Sequence, residues 1–212
     1  MKALIISMFF AVLPASLYTQ DLKAVDEDLK KTMIQRINRT ASSLETMQCE
    51  FEQTKYLSLL NDKMVSKGKM YYKQNNLFRW EYNTPYNYIF ILNGTKVILK
   101  SSQKKDEIDV RSSRLFQEIA NIIMNSVTGK CLTGNTDFKV TMYANGHEWI
   151  ADLVPLKKEM KQMFNVITIS FDPDVSMVSK VEMKEKSGDT TRIILKNVRS
   201  NITVDEKIFS LD

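Results

Sequence analysis

The chain has 212 residues, 43% of them hydrophobic and 26% charged, with 30 lysines and arginines against 25 acids for a formal net charge of +5. That length suits one domain with a sizeable core, and a mild, scattered positive excess argues against a nucleic-acid-binding stripe. One histidine and two cysteines without CxxC spacing argue against a metal site.

Met1-Lys2 is a minimal basic start, and Ala3 to Leu13 is an apolar run too short to span a bilayer, closed by the small residues Pro14-Ala15-Ser16. Residues 1–20 therefore read as a cleaved export signal. Their removal takes Lys2 and no acid, leaving 21–212 as a single domain with a net charge of +4. No cysteine near the cut offers a lipid anchor. No later segment approaches the ~18 apolar residues of a membrane-spanning helix. In an oxidising compartment Cys49 and Cys131 could form one disulfide, and two buried thiols are the equally weighted alternative.

From Asp21 to about Ser43 the spacing of Leu22, Val25, Leu29, Met33, Ile37, Ala41 and Leu44 predicts an amphipathic helix covering one face or opening of a sheet. The period then changes to two: Met47, Cys49, Phe51 and Gln53 alternate with polar residues up to Leu57. Asn61-Asp62 marks a loop. Met70 to Lys73 reads as a short strand, broken at Gln74-Asn75-Asn76. Leu77 to Tyr82 is a second strand with Phe78, Trp80 and Tyr82 on one face and Arg79 and Glu81 on the other. After the turn Asn83-Thr84-Pro85 come Tyr86 to Leu92, the hairpin signal Asn93-Gly94, and Thr95 to Leu99. The lysines at 55, 63, 67, 69, 73, 96 and 100 fall between the apolar positions and are expected on solvated outer faces.

Lys100 to Arg111 reads as a ragged strand with Ile108 and Val110 inward. A helix follows, capped at Ser112-Ser113 and ended by Gly129, with Leu115, Phe116, Ile119, Ile122, Ile123, Ser126 and Val127 along one broad stripe. Phe138, Val140 and Met142 resume the strand pattern before the turn Asn145-Gly146, and Trp149 to Val154 pairs back. Pro155 to Met163 is a charged connection. Phe164 to Phe171, Met177 to Lys186 and Thr190 to Val198 are further strands, and Asp205 to Leu211 is a strand-like tail. These elements predict a mainly β chain with helices: a highly curved, unclosed antiparallel sheet of about ten to eleven strands, with an N-terminal and a central helix against it.

No GxSxG, P-loop, GxGxxG or HExxH motif is present, His147 sits beside a hairpin turn, and Asp172 and Asp174 flank a turn proline. Asp106, Glu107 and Asp109 read as solvated loop. No catalytic residue, metal or cofactor is therefore expected. An aromatic-lined curved sheet instead suits a ligand cavity, against the plain reading that Phe78, Trp80, Tyr82, Tyr88 and Phe90 are ordinary core.

The stretch GKMYYKQNNLFRWEYNTPYNYIFILNGTKVIL, from Gly68 to Leu99, with the Phe51-x-Gln53-x-Lys55 strand and the Asp205 to Phe209 tail, resembles the LolA family of periplasmic lipoprotein carriers. The resemblance implies an unclosed antiparallel barrel with a hydrophobic, helix-lidded cavity in the periplasm of a Gram-negative bacterium. Such a protein would be a monomer that does not span a membrane and binds no nucleic acid. It would receive lipoprotein acyl chains from an inner-membrane lipoprotein-releasing ABC transporter and pass them to an outer-membrane acceptor. Mapped onto this chain, Met70, Tyr72, Phe78, Trp80, Tyr82, Tyr88 and Phe90 would line or rim the cavity, and Leu115, Phe116, Ile119, Ile122 and Ile123 would form the lid. Gln74 and Asn75 stand where well-known members carry an arginine and a proline in a lid latch, so a latch without charge assistance is expected. A carrier of another envelope lipid, or a lipid-sensing regulatory protein on the same fold, are the alternatives.

Overall fold

The structure is a computed structural model, and it describes residues 22–109, 132 and 137–210. The expected export signal, the apolar stripe of the central helix (Leu115, Phe116, Ile119, Ile122 and Ile123) and Cys131 lie outside the described residues. Among the described residues eleven strands form one antiparallel sheet: β1 (Thr46–Leu57), β2 (Asp62–Lys73), β3 (Leu77–Thr84), β4 (Tyr88–Asn93), β5 (Lys96–Ser101), β6 (Lys105–Asp109), β7 (Phe138–Ala144), β8 (Trp149–Pro155), β9 (Phe164–Asp172), β10 (Met177–Glu185) and β11 (Thr190–Ser200). Their order is β6-β5-β4-β3-β2-β1-β11-β10-β9-β8-β7. The first and last strands of the chain therefore meet in the middle, and β6 and β7 stand at the two ends of an unclosed sheet.

Hairpin chemistry sets most of this order. Asn75 and Asn76 adopt φ of 67° and 60° between β2 and β3, and Gly94 adopts 59° between β4 and β5. Asn tolerates and Gly favours this left-handed region, which tight hairpin turns demand. The expected short strand at Met70 to Lys73 is instead the end of a twelve-residue strand, β2. It pairs with β1 from Leu57↔Asp62 to Thr46↔Lys73, because one long hairpin satisfies both backbones along their full length. Against β3 the pairing starts only at Lys67↔Thr84, so residues 62–66 overhang the neighbouring strand by roughly 15 Å.

Helix α1 (Glu27–Ser43) begins later than its apolar spacing suggests. Asp26 is its cap, accepting from the Leu29 amide at 2.8 Å. Ala24 and Val25 are drawn into a bridge with β7 through Tyr143 and the Met142 carbonyl. Met33, Ile37 and Ala41 are buried, whereas Leu22 and Leu29 remain exposed. The helix crosses one end of the curved sheet. Arg36 donates to the Pro173 carbonyl at 2.7 Å and Thr40 to the Val175 carbonyl, both in the β9–β10 turn. The Arg36 guanidinium also lies 4.6 Å from the Trp149 ring centre. The connection after β8 holds a short helix, α2 (Lys158–Met163), where the sequence suggested none, anchored by the buried Met160.

The chain ends in a 3-10 helix (Glu206–Phe209) instead of a strand-like tail. Asp205 caps it by accepting from the Lys207 amide, and Phe209 inserts into a second apolar cluster with Ile91 and Ile98. That cluster lies on the face opposite Phe78 and Trp80, so the outer surface of β3–β5 is covered around Ile91 and Ile98, while Lys96 and Lys100 on the same face stay exposed as expected. Arg79, on that outer face, donates to the Ile208 carbonyl at 2.9 Å and pairs with Glu81 at 2.8 Å. Replacing Phe209 with alanine should cost about 3–5 kcal/mol by chemical denaturation while leaving ligand binding on the other face intact. A loss below about 1 kcal/mol would show that the tail is not part of the core.

Candidate functional site

The inner face is built from cross-strand rows. One row runs Cys49–Met70–Trp80–Phe90–Leu99, the next Met47–Tyr72–Phe78–Leu92–Val97. A third runs Phe51–Gly68–Tyr82–Tyr88–Ser101. Alternation along each strand puts every one of these side chains on the same side. The face is graded. Met70, Tyr72 and Phe78 are sealed, whereas Trp80, Tyr82, Tyr88 and Phe90 are only partly buried. All seven sequence-predicted lining residues therefore share one surface, with the first three forming its floor.

The sequence reading omits Phe51 from the site. Its ring stacks on Trp80 at 4.0 Å and meets Tyr82 edge-on at 5.2 Å, which makes it the hub of the aromatic set. The signal that could have found it is the glycine opposite. A Cβ on Gly68 would lie 2.7 Å from the Phe51 ring and 1.9 Å from the Glu81 carbonyl oxygen, so the ring can lie flat only over a residue without one. The β2–β3 register also shifts between Lys67 and Gly68, a bulge that bends the sheet at this point.

Polar groups on this face are few. Tyr82 donates from its hydroxyl to Gln53 Oε1 at 3.0 Å, and burial pushes its phenol upward. Burial also raises Tyr88, with a smaller contribution from Asp106. Among the described residues the buried Trp80 indole Nε1 meets no acceptor in full hydrogen-bond geometry, though the Tyr82 side chain beside it interacts with it, an uncommon position for a donor that costs free energy to desolvate. Lys55, expected on an outer face, shares the inward parity of Phe51 and Gln53 and pairs with Glu185 at 3.2 Å beyond the aromatic rows. Among the described residues no group of histidine, cysteine or acidic side chains could hold a metal. His147 is exposed at its turn.

Gln74 lies in the β2–β3 turn, as expected. Its side-chain amide donates to the Leu44 carbonyl at the C-terminal cap of α1 at 3.1 Å, and its backbone amide to the Glu45 carbonyl at 2.8 Å. The contact described for this side chain thus ties down α1. Cys49 is a buried free thiol, pushed up to about 12 chiefly by burial and then by Glu50.

Residues 42–212 match the family described as outer membrane lipoprotein carrier protein LolA. The chain belongs to the LolA family. An outer-membrane lipoprotein carrier protein of Methylococcus capsulatus is 27% identical over 175 residues, 82% of this chain and 80% of that one. One of Pseudomonas aeruginosa is 25% identical over 179 residues, 84% and 83% of the two chains. Among solved structures, an uncharacterized conserved protein of Thermus thermophilus superposes with a TM-score of 0.52 at 8% identity, covering 85% of this chain and 92% of that one, and shares the fold.

Gly68→Ala should destabilise the protein by at least about 1–3 kcal/mol in denaturant melts and displace the Phe51 ring, because backbone cannot yield as a side-chain tip does. Unchanged stability would mean that the ring-on-glycine contact does not hold the face. The Cys49 thiol gives a pH signature. Its folded value lies above the unfolded one, so its contribution is complete below about pH 9 and is lost as the pH rises toward about 12. Cys49→Ala should flatten the fall in stability between about pH 9 and 12, measured by urea midpoints, relative to wild type. An equally steep fall in the variant would assign it to other groups.

Proposed function

We propose that this protein is a periplasmic carrier that holds lipoprotein acyl chains against the aromatic inner face of its half-barrel and moves them between the inner and outer membranes. The observation that supports this best is the graded inner face. A sealed floor of Met70, Tyr72 and Phe78 lies beneath the partly exposed rings of Trp80, Tyr82, Tyr88 and Phe90, on a chain of the LolA family. The family is one of carriers, and its relatives above are lipoprotein carriers by name.

The physical need is plain. Each lipid methylene hidden from water is worth ~0.8 kcal/mol, so an acyl chain crosses an aqueous compartment only inside an apolar container. Wide, rigid rings supply that area at small entropic cost, and the rows carry no charge until Asp106 at the β6 edge, which pairs with Lys104 at 2.9 Å, so the chain can lie on the rings without desolvating an ion. The residue stripe Leu115, Phe116, Ile119, Ile122 and Ile123 would close over the cargo as the lid. Gln74 would act on lid movement indirectly, by fixing the end of α1 through Leu44. An inner-membrane lipoprotein-releasing ABC transporter would load the carrier, and an outer-membrane acceptor would unload it. Residues 1–20 would direct export and be removed, leaving 21–212 as one carrier domain that acts as a monomer.

Native mass spectrometry of the protein purified from its own periplasm, with identification of bound species, tests this reading. A co-purifying triacylated lipoprotein is expected. A small free lipid would point to a carrier of another envelope lipid, and an empty protein that ignores added lipid would overturn the carrier reading. Trp80→Glu should abolish uptake of a fluorescent acyl probe in a protein that still folds, because a carboxylate would face the chain, while Trp80→Phe retains it. Undiminished uptake by the glutamate variant would remove Trp80 from the site.

A further inference from the structure

The β1–β2 hairpin overhangs its neighbour at the end of the sheet opposite α1, and its tip is apolar. Leu59 and Leu60 are 92% and 71% exposed, and Met64 and Val65 behind them are also exposed. A solvated hairpin tip ordinarily carries turn formers, and two adjacent exposed leucines there have no role in this fold. The tip is nevertheless built firmly. β11 supports β1 up to Tyr56↔Thr190, the Ser58 amide donates to Asp189 Oδ1 at 3.0 Å, and the Ser58 hydroxyl donates to the Ser187 carbonyl.

Several other exposed apolar side chains fall at the same end. Strand direction places there the β3–β4 turn with Tyr86, 77% exposed, and the segment between β8 and β9 with Leu156 and Met163. The latter is joined to the β10–β11 turn by the Lys186 amide donating to the Met163 carbonyl at 2.9 Å. Lysines 63, 158, 161 and 186 are exposed at this end, and none has a described ion pair. The acids nearby are mostly committed: Glu185 and Asp189 to Lys55, and Asp137 to Lys157, leaving Asp62 and Glu159.

We infer that this end of the protein docks on an anionic lipid bilayer, with Leu59 and Leu60 entering the interface and the uncommitted lysines facing the headgroups. A protruding apolar tip ringed by cations is the arrangement that binds such a surface, through apolar insertion plus electrostatic attraction. A protein partner would more readily be met by a concave or flat apolar patch than by a two-leucine point. Docking at this end extends the carrier reading, since it would bring the half-barrel to the membrane that holds the cargo. The flotation experiment needs no cargo and stands apart from that reading.

The test is flotation of the exported protein with vesicles of phosphatidylethanolamine and phosphatidylglycerol, compared with phosphatidylcholine alone. Wild type should float with the anionic vesicles and weakly or not at all with the neutral ones. The double substitution Leu59→Glu and Leu60→Glu should reduce partitioning by roughly tenfold or more, with an unchanged melting temperature and unchanged uptake of an acyl probe. In a second readout, Leu59→Trp should shift its emission to the blue on anionic vesicles. Failure of wild type to float, or flotation that survives the double substitution, overturns the proposal. So does a Leu59→Trp emission unaltered by vesicles. If flotation behaves as expected but no cargo is ever found, the carrier reading fails and the docking stands.

Discussion

The structure depends on one contact: an aromatic ring laid flat over a glycine. Phe51 can occupy the inner face of β1 at full size only because Gly68, its cross-strand partner, presents no side chain. Trp80 then stacks on Phe51, Tyr82 meets it edge-on, and Phe78 and Phe90 extend the set along β3 and β4. Aromatic pairs in offset and edge-to-face arrangements add to the area they bury, so the rings hold one another in place. On the proposed reading, this face of wide, mutually braced rings is the surface that an alkyl chain would lie on.

The two faces of the same strands do different work. Inside β3, Phe78 and Trp80 contribute to the candidate site; outside, Arg79 and the paired Ile91 and Ile98 receive the C-terminal 3-10 helix and Phe209. The sheet there is a three-layer arrangement in miniature: tail, strands and aromatic face. At one end α1 closes the sheet through Arg36, Thr40 and the Gln74–Leu44 bond. At the other, the β1–β2 hairpin runs on past β3. The asymmetry of the ends follows from the unequal register of β2 with its two neighbours.

Much of this is legible in the residues. Alternation is strict in β1 and β3, so the inward set Met47, Cys49, Phe51 and Phe78, Trp80, Tyr82 can be read directly, and Asn93-Gly94 marks a hairpin. The misses have physical causes. The first half of β2, Asp62 to Ser66, carries no alternation of buried and exposed positions, so no period marks it as strand; only its pairing with β1 makes it one. The tail resembles a strand because Ile208 and Phe209 are apolar, but Asp205 caps a turn and Phe209 finds its pocket through tertiary packing alone. Helix α1 starts late because a bridge to β7 competes for Ala24 and Val25, a contact so distant in sequence that local spacing cannot reveal it. Phe51 reads as inward from its own strand, but its rank in the site depends on the glycine opposite, which is a property of register rather than of either strand.

The most direct measurement is site-specific photocrosslinking in the living cell, with benzoylphenylalanine placed at Phe90 on the inner face and, separately, at the exposed Arg199 on the outer face of β11. If acyl chains lie on the aromatic rows, position 90 yields adducts with lipidated proteins and position 199 does not. Adducts from position 199 alone, or none from position 90 in a folded and exported protein, would contradict the assignment of the inner face as the binding surface.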